Sequence, residues 1–126
     1  LVNTIEQALA LLARLDSPNC GLLLDTFHMN IEEQDLPLAI RAAGAHLFHF
    51  HACANDRGAP GADHLDWPGI AAALGAIRYP GAIAIESFTA ENQAIATAAS
   101  IWRPLAPSQD ALARDGLAFL RETFGE

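Results

Sequence analysis

Gly21-Leu22-Leu23-Leu24-Asp25-Thr26-Phe27-His28 is the stretch that decides the fold of this chain. Three leucines in succession, with no polar alternation, are typical of a strand in a parallel sheet that helices cover on both faces. The apolar run ends in Asp25. A carboxylate at the exit of a core strand costs free energy unless a metal, a cation or hydrogen-bond donors meet it. Capping of the following turn is the other ordinary role of such an aspartate, so this stretch leaves a binding site and a turn cap open.

Composition favours one folded domain over residues 1–126. Apolar residues make up 52% of the chain, which is enough for a packed core. Fifteen acidic residues against seven basic ones give a net charge of −8, which argues against a nucleic-acid partner.

The lack of a recognisable targeting signal, together with the cysteine usage, predicts a cytoplasmic protein with no membrane partner. No apolar run approaches the ~20 residues that span a bilayer. Leu1-Val2-Asn3 lacks the basic flank and the apolar centre of a signal peptide. Cys20 and Cys53 are too isolated for a disulfide framework, and we expect them to be reduced, buried thiols.

Hydrophobic periodicity predicts three strands separated by helices. The strands are expected at about 20–25, 46–51 and 82–86, and such alternation is typical of parallel βαβ units. Residues 52–65 are rich in turn formers and predict a long loop. The helices are expected to start at Asn3, Pro37, Asp66, Thr89 and Ser108, with Trp67 and Trp102 packed in the core on helical faces.

Each predicted strand ends in a polar side chain that can bind a metal: Asp25, His51 and Glu86. The carboxyl ends of parallel strands share one rim, where active sites collect. Two carboxylates and one imidazole suit Mn²⁺, Mg²⁺ or Co²⁺ better than a closed structural zinc site. Simple capping by all three residues is the alternative. We interpret His49 as a core residue. We interpret His64, with its acidic neighbours Asp63 and Asp66, as solvent-exposed residues of a turn and not as a metal site.

Several segments resemble the D-tagatose/D-psicose 3-epimerase family, part of the xylose-isomerase-like group of sugar isomerases and epimerases. They are residues 21–33, His49-Phe50-His51 with Arg57-Gly58 and Pro60-Gly61, and Ile85-Glu86-Ser87-Phe88. The spacing is similar too, with 26 residues from Asp25 to His51 and 35 from His51 to Glu86. The resemblance runs essentially from end to end.

The resemblance implies the C-terminal half of a (β/α)₈ barrel that acts on a ketose or a sugar phosphate. Asp25, His51 and Glu86 would hold a divalent metal, with Mn²⁺ as first choice and Co²⁺ or Mg²⁺ as alternatives. Glu86 would also serve as acid and base, and His28 and Arg57 would contact substrate oxygens. The family's fourth ligand, a glutamate, would lie before Leu1, so the resemblance implies an incomplete site in these residues alone.

Other interpretations stay open at this point. The chain could be a non-catalytic half barrel that binds a metal or a partner, and its sheet edges predict a homo-oligomer or pairing with a missing N-terminal half. An endonuclease IV-like phosphodiesterase ranks last, because the acidic charge does not suit its substrate. Arg57 could instead form a surface ion pair with Asp56 or Asp63, and His28 could pack beside Phe27.

Overall fold

A parallel three-stranded sheet with helices is the framework of the chain, whose computed structural model describes residues 2–125. The strands are β1 (Leu22–Asp25), β2 (Leu47–Ala52) and β3 (Ile83–Ile85). The helices are α1 (Ile5–Leu15), α2 (Thr26–Glu32), α3 (Leu36–Ala43), α4 (Trp67–Ala76), α5 (Gln93–Ala98) and α6 (Gln109–Phe124). The predicted α/β architecture of parallel strands that alternate with helices is confirmed.

The register of the sheet aligns the strand ends. The strands run in the order β1-β2-β3, and all neighbours are parallel. Asp25 lies beside His51, and His51 lies beside Ala84 on β3. Side chains two residues apart share a face, so Glu86, two residues after Ala84, follows on the face that carries Asp25 and His51.

The predicted strand bounds are correct to within two residues. The first strand starts at Leu22 rather than at 20. The second starts at Leu47, because residues 44–46 form a turn of 3₁₀ helix, and it extends to Ala52. The third is shorter than predicted and ends at Ile85, which leaves Glu86 just beyond it.

The hydrophobic core lies between the sheet and the helices. Leu24 on β1 and Phe50 on β2 are buried, and they share one cluster with Ile40 of α3 and Ile70 of α4. Fully burying each such side chain contributes about 1.5–3 kcal/mol. Only one face of β1 is covered, however, since Leu23 is 55% exposed. The prediction that this strand is buried on both faces is therefore wrong for these residues.

Other differences from the predicted elements have local causes. Helix α2 was not predicted and follows β1 without a loop, because Asp25 ends the strand and caps the helix. Asn92, rather than Thr89, caps α5. That helix ends at Ala98, so Trp102 lies beyond it and is 89% exposed, whereas Trp67 is buried as predicted.

Among the described helices there is none whose length and apolar character would suffice to traverse a bilayer.

Candidate metal centre

Asp25, His51 and Glu86 converge at the carboxyl ends of the strands. Each offers one ligand atom, and the three atoms lie within 4.8 Å of one another. His51 Nδ1 lies 3.1 Å from Glu86 Oε2 and 3.8 Å from Asp25 Oδ2. This set of two carboxylate oxygens and one imidazole nitrogen fits a hard or borderline divalent cation such as Mn²⁺, Co²⁺ or Mg²⁺.

Backbone contacts place the three side chains. The β1–β2 register sets Asp25 next to His51. Beyond β3 the ladder continues for one more contact, as the Glu86 amide donates to the Ala52 carbonyl at 3.4 Å. At the exits of β1 and β2, Thr26 Oγ1 donates to the Cys53 carbonyl and accepts from the Cys53 amide. The strand ends that carry Asp25, His51 and Glu86 are therefore tied to one another directly.

Asp25 uses its two carboxylate oxygens for different purposes. Oδ1 accepts hydrogen bonds from the Phe27 amide at 2.8 Å and the His28 amide at 3.2 Å, which caps α2. Oδ2 faces His51 and Arg57. The capping role left open by the sequence is thus observed. It leaves the other oxygen of the buried carboxylate facing the polar cluster that Asp25 forms with His51, Glu86 and Arg57.

Arg57 lies in the cluster rather than in a surface ion pair. Its Nη1 is 3.2 Å from Asp25 Oδ2 and 3.3 Å from Glu86 Oε2, and its side chain is only 8% exposed. Its Nη2 lies 2.8 Å from His28 Nε2. Asp56, one of the surface partners considered for it, pairs instead with Arg103 at 2.7 Å.

Two aromatic rings and the backbone hold Arg57 in place. Its guanidinium lies 4.0 Å from the centre of the Phe27 ring and 5.8 Å from that of Phe88, within cation–π range. The Phe88 amide donates to the Arg57 carbonyl at 2.9 Å, and Ser87 Oγ donates to the Gly58 carbonyl at 2.7 Å. Arg57 itself has φ +72°, a left-handed conformation that costs a non-glycine residue on the order of 1 kcal/mol.

Sequence reasoning missed the supporting residues Phe27, Thr26 and Ser87. Each lies directly beside a residue that was predicted to belong to the site, and this adjacency is the signal that could have identified them. Their roles depend on where the loop that carries Arg57 folds, which periodicity does not show.

The two carboxyl groups of the cluster have opposite pKa shifts. Burial, followed by the hydrogen bond with Glu86, raises the pKa of Asp25. Contact with Asp25, and then with His51 and Arg57, lowers the pKa of Glu86 to about 2. Glu86 is therefore ionised at neutral pH, and the cluster holds negative charge that a cation can neutralise.

Three further histidines, at positions 28, 49 and 64, lie outside the set of three candidate ligands. His28 is exposed, and its ring meets the Phe27 ring edge to face at 5.3 Å. The rings of His49 and His51 are 4.8 Å apart, with His49 deeper along β2. His64 contacts Asn30 Oδ1 at 3.2 Å.

The acidic neighbours of His64 have structural partners. Asp63 accepts from the Trp67 indole at 3.0 Å, and Asp66 caps α4 by accepting from the Gly69 amide. Within residues 2–125, Asp25, His51 and Glu86 lie close enough together to hold one metal ion, whereas His64 and its acidic neighbours do not form such a group.

Cys53 lies beneath the cluster as a buried free thiol, with Arg57 Nη1 at 3.7 Å from its sulfur. Burial raises its pKa to about 11. At pH 8 about one thiol in a thousand would be ionised, and the thiolate is the reactive form. We therefore expect iodoacetamide to leave Cys53 unmodified in the folded protein at pH 8, as measured by peptide mass spectrometry. Rapid labelling of Cys53 before unfolding would contradict its burial, and labelling in denaturant is the control.

Comparison with known proteins identifies relatives over nearly the whole chain. The profile of the xylose isomerase-like TIM barrel family matches residues 1–123. A probable ketose 3-epimerase of Synechocystis sp. is 51% identical over 98% of this chain and 43% of its own length. A D-psicose 3-epimerase of Enterocloster bolteae is 39% identical over 99% of this chain and 43% of its own.

A solved structure agrees with the sequence matches. The crystal structure of a D-psicose 3-epimerase in the presence of D-fructose superposes with a TM-score of 0.91 at 37% identity. The superposed region covers all of this chain and 45% of the chain in that crystal structure. The chain therefore spans less than half the length of the relatives it matches.

Proposed function

The chain belongs to the xylose isomerase-like TIM barrel family, and on that premise we propose that residues 1–126 are a partial domain, the C-terminal half of a metal-dependent ketose 3-epimerase. The observation that carries this proposal is the meeting of Asp25, His51 and Glu86 at one end of a parallel sheet. The ketose 3-epimerases among the relatives support the substrate class.

In this proposal Asp25, His51 and Glu86 hold the divalent cation, Mn²⁺ first and Co²⁺ or Mg²⁺ as alternatives. When bound, such a cation supplies Lewis-acid stabilisation for negative charge that develops on sugar oxygens. His51 contributes a nitrogen, while Asp25 and Glu86 contribute charge. Because Asp25 Oδ1 is anchored by two backbone amides, the other oxygen, Oδ2, is held in a fixed position facing His51 and Arg57.

Glu86 is the proposed acid and base. The proton on C3 of a ketose is acidified by the adjacent C2 carbonyl. Glu86 accepts that proton as the C–H bond breaks, and the electron pair moves into a C2–C3 double bond, leaving negative charge on O2. Return of a proton to the opposite face of C3 restores the carbonyl and inverts the centre. That second transfer needs another acid, which the proposal places in the other half of the barrel.

His28 and Arg57 are the proposed contacts to substrate oxygens. His28 is exposed beside the cluster and offers a ring nitrogen that can donate or accept. Arg57 keeps its positive charge at any working pH and suits an oxygen on which charge develops.

The sheet leaves large apolar side chains exposed. Leu23 is 55% exposed on the face that carries the cluster, and Phe48 is 52% exposed on β2. We propose that the other strands of a barrel cover these side chains and contribute the fourth ligand. A second copy of the chain is the alternative cover. On this account residues 1–126 alone have little activity.

A chimera tests the function directly. The 126 residues would be joined to the complementary part of the Synechocystis relative, which shares 51% identity with them. We expect Mn²⁺-dependent epimerisation of D-fructose and D-psicose at C3, measured by chromatography, with loss of activity in EDTA. The chain without that complement is the control. A folded, Mn²⁺-loaded chimera that epimerises no ketose would contradict the proposal and favour a non-catalytic metal-binding module.

A further inference from the structure

Arg57 contacts the same oxygens that face the imidazole of the cluster. Asp25 Oδ2 and Glu86 Oε2 are the two carboxylate atoms nearest His51 Nδ1, at 3.8 Å and 3.1 Å. Arg57 Nη1 approaches those two atoms at 3.2 Å and 3.3 Å. One guanidinium nitrogen therefore bridges both acidic ligands of the proposed metal site.

We propose that Arg57 is an internal counter-cation that competes with the divalent metal for Asp25 Oδ2 and Glu86 Oε2. Metal binding releases the Arg57 guanidinium from the carboxylates. This inference rests on the proposed metal site but adds a role for Arg57 that does not involve sugar. We therefore expect Arg57 to become available to another ligand only after the metal has bound.

Charge and lone pairs make the two cations mutually exclusive on these oxygens. A guanidinium and a divalent ion carry charges of like sign, and close like charges in a poorly hydrated site repel strongly. They also draw on the same carboxylate lone pairs. The coupling is reciprocal: the free energy by which the Arg57 contacts weaken metal binding equals the free energy by which the bound metal weakens the Arg57 contacts.

Release from the carboxylates requires movement of the Arg57 side chain but no rearrangement of its loop. The Arg57 amide donates to the Ala54 carbonyl at 3.1 Å, and its carbonyl accepts from Phe88, so the backbone is fixed at both ends. The buried Nε has no hydrogen-bond partner among residues 2–125, so the observed position leaves the guanidinium incompletely satisfied. Nη2 already contacts the exposed His28. On release, the guanidinium would turn toward His28, which lies on the exposed side of the site.

Calorimetric titration of the chimera with MnCl₂ tests the competition, because the chimera also contains the other half of the barrel. Arg57→Gln is expected to bind Mn²⁺ about tenfold more tightly than the wild type, because one nearby positive charge is removed. It should also melt at a lower temperature in EDTA, because two carboxylates lose their counter-ion. Arg103→Gln is the matched control: it removes the same charge from an ion pair with Asp56 whose arginine is 72% exposed, and its Mn²⁺ affinity should stay within about twofold of wild type.

The outcomes separate the two proposals. If the wild-type chimera binds Mn²⁺ and its Arg57→Gln variant binds it no more tightly, the competition is overturned while the metal site stands. If the wild-type chimera binds no Mn²⁺, both fail. Should Arg57→Gln not fold, the ¹⁵N signals of the wild-type Arg57 guanidinium replace it as readout: MgCl₂ should shift them toward those of exposed arginines, and unchanged signals at saturating MgCl₂ would overturn the proposal.

Discussion

Asp25→Asn is expected to weaken Mn²⁺ binding by at least about 100-fold and to abolish epimerase activity in the chimera. Loss of an outer-shell partner of a metal ligand already costs 10–100-fold in affinity, and this substitution removes the charge of a proposed ligand itself. The side chain is 3% exposed, so water cannot easily replace the lost oxygen. Calorimetric titration with MnCl₂ gives the affinity.

The choice of asparagine separates the metal role from the capping role. Its amide oxygen can still accept the Phe27 and His28 amide hydrogens that start α2, and asparagine is among the best N-cap residues. We therefore expect a loss of stability of only about 1–3 kcal/mol, from the weakened contact with Arg57. Asp35→Asn is the matched control, because Asp35 caps α3 through the Leu38 amide on the surface. Equal Mn²⁺ affinity in the two variants would argue against Asp25 as a ligand.

The position of the cluster could be predicted from sequence because parallel strands impose it. Apolar runs that end in Asp25, His51 and Glu86 must bring these side chains to one edge if the strands are adjacent and parallel. The observed register does so, with Asp25 directly beside His51. The strand pattern does not assign a role to each residue. The roles of metal ligand, acid and base, and substrate contact came mostly from the family resemblance.

Helix α2 could not be predicted because one residue carries two signals. Asp25 is both the last residue of β1 and the N-cap of the next helix. Periodicity is weak over a helix of seven residues, and the sequence of α2 contains threonine and asparagine, which are poor helix formers. Its existence depends on the cap and on packing of Met29 in the core.

Burial was harder to predict than secondary structure because it depends on what covers each face. The apolar run predicts that Leu23 lies in the core, yet its side of the sheet has no covering layer within residues 2–125. Trp102 fits a helical face only if α5 continues to it, and that helix stops four residues earlier. The position of Arg57 depends on a loop with a left-handed residue, which no periodic pattern encodes.

Glu86→Gln is expected to lower the turnover of the chimera by about 100- to 10,000-fold, the range typical of a positioned acid–base group. Glutamine keeps the shape and one acceptor oxygen but cannot take up a proton. Exchange of the C3 proton of D-fructose with D₂O, followed by NMR, reports on proton abstraction apart from net epimerisation. Both rates should fall together. Glu91→Gln, on an exposed residue of the following loop, should leave them unchanged.

The pKa of Glu86 adds a second test of the same variant without any sugar. Because contacts with Asp25, His51 and Arg57 lower that pKa from 4.5 to about 2, the ionised group stabilises the fold above pH 4.5. This contribution disappears as the pH falls toward 2. The wild type should therefore melt above Glu86→Gln at pH 6, and the difference should shrink between pH 4.5 and pH 2. If the difference in melting temperature were independent of pH, Glu86 would not be the ionised partner of Arg57 and His51, and its assignment as the base would lose its electrostatic support.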